Sequence, residues 1–282
     1  KVISCLSRAS INTDKHTTYI DSERNPTLRK TLSTFSSNAD GLADQIQYSQ
    51  TDTLTGRLVV KSGPHVLTLP KKYRNILRSR YKNGRLLYVD FVSLEPRTAL
   101  FAGHRLAPPD IYLDISEKAF NNAVSRSVVK LAVLCALFGA GSAKLNDVLP
   151  PELGFSAMQV IRKIRQYFGA DELVNMLYKQ AVDVGYIRNM FGRAIQLRDN
   201  NNLLNHFLQS SSVDVAMLGF AQIIEKINKL SVLPIFVIHD ALLLDCASEN
   251  VQEVISLIKG GVDIPTVGQF PVSIDVITPE GE

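Results

Sequence analysis

Cysteine is scarce in this chain, and what there is builds no metal site. Cys5, Cys135 and Cys246 are far apart, odd in number and free of metal-ligand spacing. That excludes a zinc module and a disulfide-stapled secreted scaffold, and it fits a reducing interior. Long hydrophobic runs are missing too: the longest apolar stretch, Leu131 to Gly141, is too short to span a bilayer. With no signal-peptide pattern at the N-terminus, the expectation is a soluble intracellular protein with no membrane partner. No internal repeat or low-complexity tract is present, so repeat arrays are excluded. The chain begins at Lys1 rather than methionine, from which upstream sequence is expected.

Net charge is only +4, yet the cations are unevenly placed. Lys71, Lys72, Arg74, Arg78, Arg80, Lys82 and Arg85 form a run with no acid among them. Such a run suits phosphate contact, although a solvated helix face would read the same way. The 282 residues have an ordinary apolar content of 45% and suffice for one large domain or two modest ones.

Residues 1–50 are rich in Ser, Thr, Asn and Asp, with turn punctuation at Asn25-Pro26 and Asp40-Gly41. They predict an irregular opening segment with one short helix near Leu28 to Leu32. From Arg85 an apolar, β-prone run has the length of a strand. Helical spacing follows in blocks over Ser116 to Phe138, Ala157 to Phe168, Ala170 to Gly185 and Ser212 to Leu230. Strands return at Pro234 to Ile238, Ala241 to Asp245 and Val272 to Ile277. Early and late strands sharing a sheet around a helical insertion make an α+β fold.

Two acids stand out. Asp90 ends an apolar strand, and Asp240 follows His239 at the tip of a strand–turn–strand segment. Although 150 positions separate them, they can converge on one sheet edge. Two-metal phosphoryl transfer needs carboxylates that bridge cations about 4 Å apart. Magnesium takes few protein ligands and demands hard oxygen donors, so two aspartates suffice. Taken alone, the pair reads more readily as a strand end and a turn residue.

Asp90-Phe-Val-Ser-Leu-Glu-Pro-Arg97, Arg126-Ser-Val-Val-Lys130 with Phe138-Gly139, and Val237-Ile-His239-Asp240 resemble, in that order, motifs A, B and C of DNA polymerase family A. Gln50-Thr-Asp-Thr-Leu-Thr55-Gly56-Arg57-Leu58 with Leu69-Pro70, Gly185-Tyr186 with Phe191-Gly192-Arg193, and Thr18-Tyr19-Ile-Asp21 extend the similarity. Asn201, Asn205 and Gln209, followed by Asp214, resemble the helix facing the duplex minor groove. The likeness runs from about residue 15 onward and is similar in its compact finger connections to phage or plasmid enzymes.

The resemblance implies a template-directed DNA polymerase module whose partners are primer–template DNA and deoxynucleoside triphosphates. It implies an opening segment (residues 1–50) that is a remnant following the thumb, then palm (51–100), fingers (101–200) and palm again (201–282). Asp90 and Asp240 would hold two Mg²⁺ ions, with Mn²⁺ as a substitute. Arg126 and Lys130 recur at helical spacing with Leu134 and Phe138, and would neutralise the triphosphate. Phe138 would stack on the nascent pair. Glu95 would crowd the sugar 2′ position, and Tyr112 would offer its hydroxyl where the family has a phosphate-contacting histidine. Arg57, Arg97, Asn201, Asn205, Gln209, His239, Lys71, Lys72 and Arg74 are the expected DNA contacts. Amide groups suit minor-groove edges, where acceptors are similar for all base pairs.

Three departures matter. Ala241 replaces the glutamate that usually follows the motif C aspartate, Leu134 replaces an aromatic, and Phe138 replaces a tyrosine. The segment before residue 15 is too short for thumb helices or a proofreading exonuclease, so a missing portion or a processivity factor is expected. Two other readings stay open: a catalytically weakened nucleic-acid-binding relative, and a single-subunit RNA polymerase, which lacks the glutamate seen here as Glu95.

Overall fold

A computed structural model of the chain describes residues 1–139, 141–149, 154–197 and 202–277. Two compact units emerge, one formed by Lys1–Val92 with Val215–Glu282 and the other by Ser93–Asp214. The discontinuous unit takes in the whole of residues 1–50, and the expected division at residue 100 falls inside a helix, Leu94–Ala102.

The opening segment is more ordered than its composition predicts. After β1 (Ser10–Ile11) come α1 (Thr13–Ser22) and α2 (Pro26–Ser33). Asn12 accepts from the Lys15 amide, and Asn25 accepts from Thr27 and Leu28. The Asn25-Pro26 pair is therefore a helix start, because Pro at the first helical position has no needed N–H to lose and its φ is already set. Ile11, Leu32, Phe35, Ala43 and Ile46 are buried, so this segment contributes core. The hairpin β2 (Gln47–Ser49) and β3 (Val59–Ser62) carries the Arg57 loop; β4 (Leu77–Arg78) pairs with β1, and β5 (Arg85–Phe91) ends the segment.

The continuous unit is mainly helical: α3 (Leu94–Ala102), α4 (Ile111–Phe120), α5 (Arg126–Phe138), α6 (Ala143–Val148), α7 (Ala157–Phe168) and α8 (Ala170–Val184) precede the hairpin β6 (Tyr186–Arg188) and β7 (Ala194–Gln196). The single helix expected over Ser116 to Phe138 is broken. Asn121 and Asn122 sit at φ 48 and 63, in the left-handed region that Asn tolerates, and Ser125 then caps α5 by accepting from the Val128 amide. Ser156 and Gln159 form a reciprocal capping box that starts α7. Ile115, Val129, Val133, Val160, Ile164 and Phe168 belong to one buried cluster.

The next helix, α9 (Leu203–Lys226), begins well before the expected Ser212. By length and composition it could cross a bilayer, but 56% of its most apolar stretch is buried within the protein, as in the core helix of a globular domain. Its later part belongs to the discontinuous unit, where Gly219 meets the sheet. A Cβ there would lie 2.7 Å from Phe91 and 2.9 Å from Val262, so only glycine permits this approach.

β8 (Val232–Ile238), β9 (Ala241–Cys246), α10 (Val251–Ile258), the hairpin β10 (Val262–Ile264) and β11 (Gly268–Phe270), and β12 (Val272–Ile277) complete the chain. One antiparallel sheet has the order β12-β5-β9-β8. Early and late strands thus share a sheet, as the α+β expectation requires. Nearly every residue of β8 and β9 is buried, which explains their continuous apolar runs in place of alternation.

Candidate active site

Strand pairing brings the two acids together. Asp90 pairs with Ala241 across β5 and β9, and the Phe91 amide donates to the Asp240 carbonyl at 3.3 Å. Antiparallel partners lie about 5 Å apart at Cα, so the acids are neighbours despite their distance in the chain. His239 and Asp240 are the two residues between Ile238 and Ala241, which pair directly, and His239 takes φ 57 to close this turn. The imidazole is exposed; both aspartates are half-buried.

Tyr88 shares their face of β5, two residues before Asp90. Burial raises its hydroxyl pKa, as do the negative charges of Asp90 and Asp240, against the opposing pull of Arg74. The Arg74 guanidinium lies 5.7 Å from the Tyr88 ring centroid. Period-two spacing from Asp90 was the signal for Tyr88. Lys71 and Lys72 are exposed on the same basic segment, Lys72 standing 4.6 Å from the Tyr73 ring centroid. Arg57 is exposed on the β2–β3 loop, its carbonyl accepting from the Thr53 hydroxyl.

A residue that sequence reading passed over anchors the basic run to the sheet. Asp245 on β9 is only 1% exposed. It accepts from the Ser79 hydroxyl and from the Arg80 amide at 3.0 Å. Burial pushes its carboxyl pKa upward, and these donors only partly oppose that.

In the helical unit, α5 presents the expected stripe. Arg126, Lys130 and Leu134 are exposed, Leu134 at 40%, and Phe138 is half-buried. The opposite face, with Val129, Val133 and Leu137, is buried, so the mixed cationic and apolar side faces outward. Arg126 donates through Nε to Asp110 Oδ2 at 2.7 Å and lies 5.1 Å from the Tyr112 ring centroid. Glu95 occupies the first turn of α3, half-buried, where the helix dipole favours an acid.

Two of the expected contact residues lie buried. Arg97 is 3% exposed and donates through Nη2 to the Pro109 carbonyl at 2.7 Å, so it ties its own unit together. Tyr112 is 7% exposed, with its hydroxyl engaged by the Ser93 side chain, so the ring under Arg126 is what this residue supplies. Burial raises the phenol pKa, against the opposing effects of Ser93 and Arg126.

Asn205 and Gln209 share one face of α9, and the Gln209 amide donates to Asn205. Asn201 lies outside the described residues. Asn205 also lines a cleft with Phe138, Gly139, Arg165 and Tyr178, all in the helical unit. The expected Asp214 anchors a network: Arg193 donates to it through Nη2 at 2.6 Å and Nε at 3.0 Å, and Asn189 donates at 2.6 Å. Asn189 is buried and also caps the Phe191 and Arg193 amides, each at 2.9 Å. Nothing in its sequence context marked it.

The donor set near Asp90 is one of few, hard oxygen groups. Among the described residues no group of three or more His, Cys, Asp or Glu side chains gathers, and Ala241 is fully buried opposite Asp90. Two neighbouring carboxylates still fit magnesium, which keeps several waters and takes oxygen from substrate phosphates.

An antiparallel sheet with acids at one end, interrupted in sequence by a helical unit with a cationic helix face, defines the palm-and-fingers class of fold. The family model of DNA polymerase family A matches residues 22–281, and the chain belongs to that family. The POL domain of Pol1 from M. smegmatis, solved in complex with DNA primer-template and dNTP, is similar in fold, with a TM-score of 0.64 at 20% identity. The match covers 89% of this chain and 50% of that one, so the chain spans about half the length of that protein.

Proposed function

We propose that this chain is a template-directed DNA polymerase module that adds deoxynucleotides to a primer 3′ end, acting inside the cell. The observation that carries the reading is the pairing of β5 with β9, which makes neighbours of Asp90 and Asp240 within the stretch that matches family A. The two aspartates would hold Mg²⁺, or Mn²⁺ in its place. Bound there, two such ions would activate the primer hydroxyl and offset charge on the α-phosphate.

The chain's own side chains do the rest by position and charge. Asp90 and Asp240 supply negative oxygens in the sheet. Arg126 and Lys130 receive the triphosphate, the first as a planar fork and the second as a point charge. Glu95 excludes a ribose 2′-hydroxyl. Arg57, Lys71, Lys72, Arg74 and His239 contact primer–template backbone, and Asn205 and Gln209 read the minor groove. Loss of the outer carboxylate at Ala241 retunes activity and leaves the two bridging acids in place.

Primer extension with Mg²⁺ and with Mn²⁺ tests this. Asp240→Asn should abolish nucleotide addition while duplex binding in a gel-shift assay stays nearly intact; unchanged incorporation would remove the site. A chain that binds duplex in a salt-dependent way yet never extends it would be the weakened, non-catalytic relative. Primer-independent synthesis with ribonucleotides would favour an RNA polymerase.

A further inference from the structure

Arg126 is held on two sides, while Lys130, one turn along, makes no ion pair among the described residues. We propose that Asp110 and Tyr112 are positioning residues that set the plane and direction of the Arg126 guanidinium, presenting Nη1 and Nη2 as a fixed fork to a nucleoside triphosphate. The inference rests on the reading above that Arg126 receives the phosphates.

Asp110 is itself immobilised. Its Oδ1 caps α4, accepting from the Tyr112 amide at 2.9 Å and the Leu113 amide at 3.1 Å, which leaves Oδ2 for Arg126 Nε at 2.7 Å. Among the described residues no hydrogen bond engages Nη1 or Nη2. A guanidinium tied through Nε keeps both terminal nitrogens for a bidentate oxyanion contact. The Tyr112 ring lies 5.1 Å from the guanidinium carbon and is buried, so it selects the plane that the carboxylate orients. A long cationic side chain otherwise loses rotamer freedom on meeting its ligand; one already held loses less. Tyr112, which stands where the family's phosphate-contacting histidine is expected, thus acts on phosphate through Arg126.

Single-nucleotide incorporation and calorimetric titration of inorganic tripolyphosphate test this together. Asp110→Asn keeps the capping oxygen and the side-chain size. It should raise the KM for the deoxynucleotide about tenfold with kcat nearly constant, and weaken tripolyphosphate by a similar factor. In an Arg126→Ala background the same change should do nothing further, since Asp110 acts only through Arg126. Tyr112→Leu should raise KM likewise, and Tyr112→Phe should rescue it. Tighter binding in Asp110→Asn would make Asp110 a competitor of phosphate and overturn the proposal; so would an equal loss in the Arg126→Ala background. Failure of the wild-type chain to extend a primer would count against the polymerase reading, and the calorimetry would still decide the roles of Asp110 and Tyr112.

Discussion

Asp90 and Asp240 sit where backbone hydrogen bonds between β5 and β9 put them, whereas Arg126 and Lys130 stand on an exposed helix face and reach outward on long side chains. Short acids allow no slack: slipping the strand pairing by one residue would turn Asp90 to the other face. Long cations tolerate imprecise backbone placement but must be steered by neighbours, as Asp110 and Tyr112 steer Arg126. A sheet-borne acid should therefore fail abruptly when altered, and a helix-borne cation gradually.

The strongest attempt to break that contrast is Asp90→Asn. Its incorporation rate should fall at least about a thousandfold, the equivalent of about 4 kcal/mol, because one remaining aspartate cannot bridge two ions. Arg126→Ala should lower kcat/KM about a hundredfold, the scale of lost charge-assisted hydrogen bonds, with Lys130 supplying the remainder. Equal losses in the two variants, measured by rapid quench, would erase the distinction.

Smaller effects sharpen it. Glu95→Ala should admit ribonucleotides, with discrimination between the two sugars falling about tenfold in competition assays; unchanged selectivity would end the sugar-gate role. The weakest effect concerns Asp245 on the sheet side. Burial raises its pKa in the folded state, so its proton is held more tightly there than in the unfolded chain. Stability from this group is fully present below the ordinary carboxylate range and is lost as pH rises through the raised value. Melting temperature should decline over that window in the wild type and less so in Asp245→Asn; parallel profiles would show that the buried charge carries no pH dependence.

Much of this was readable in advance. Apolar, β-prone runs marked β5, β8, β9 and β12, and helical spacing marked α7 to the residue, because each of those patterns is local. The break at Asn121-Asn122 escaped notice since the apolar period continues across it, and only the left-handed backbone of both residues ends the helix. Pro26 was ambiguous for a similar reason: the same residue marks turns and helix starts. Arg97 and Tyr112 belong to the quoted motifs, yet both side chains are buried, which no motif foretells. A motif records which residue types recur and in what order, and says nothing of which atoms face solvent.

The order of residues alone determined the family, the identity of the two acids, and the cationic stripe of α5, since strand and helix periods are properties of the local chain. Folding decided what no local period can: that Asp90 and Asp240 become neighbours through antiparallel register, that Gly219 brings a helix against Phe91, and that Asp110 takes hold of Arg126. Those pairings join positions far apart in the chain, and they exist only when the burial of the core holds them together.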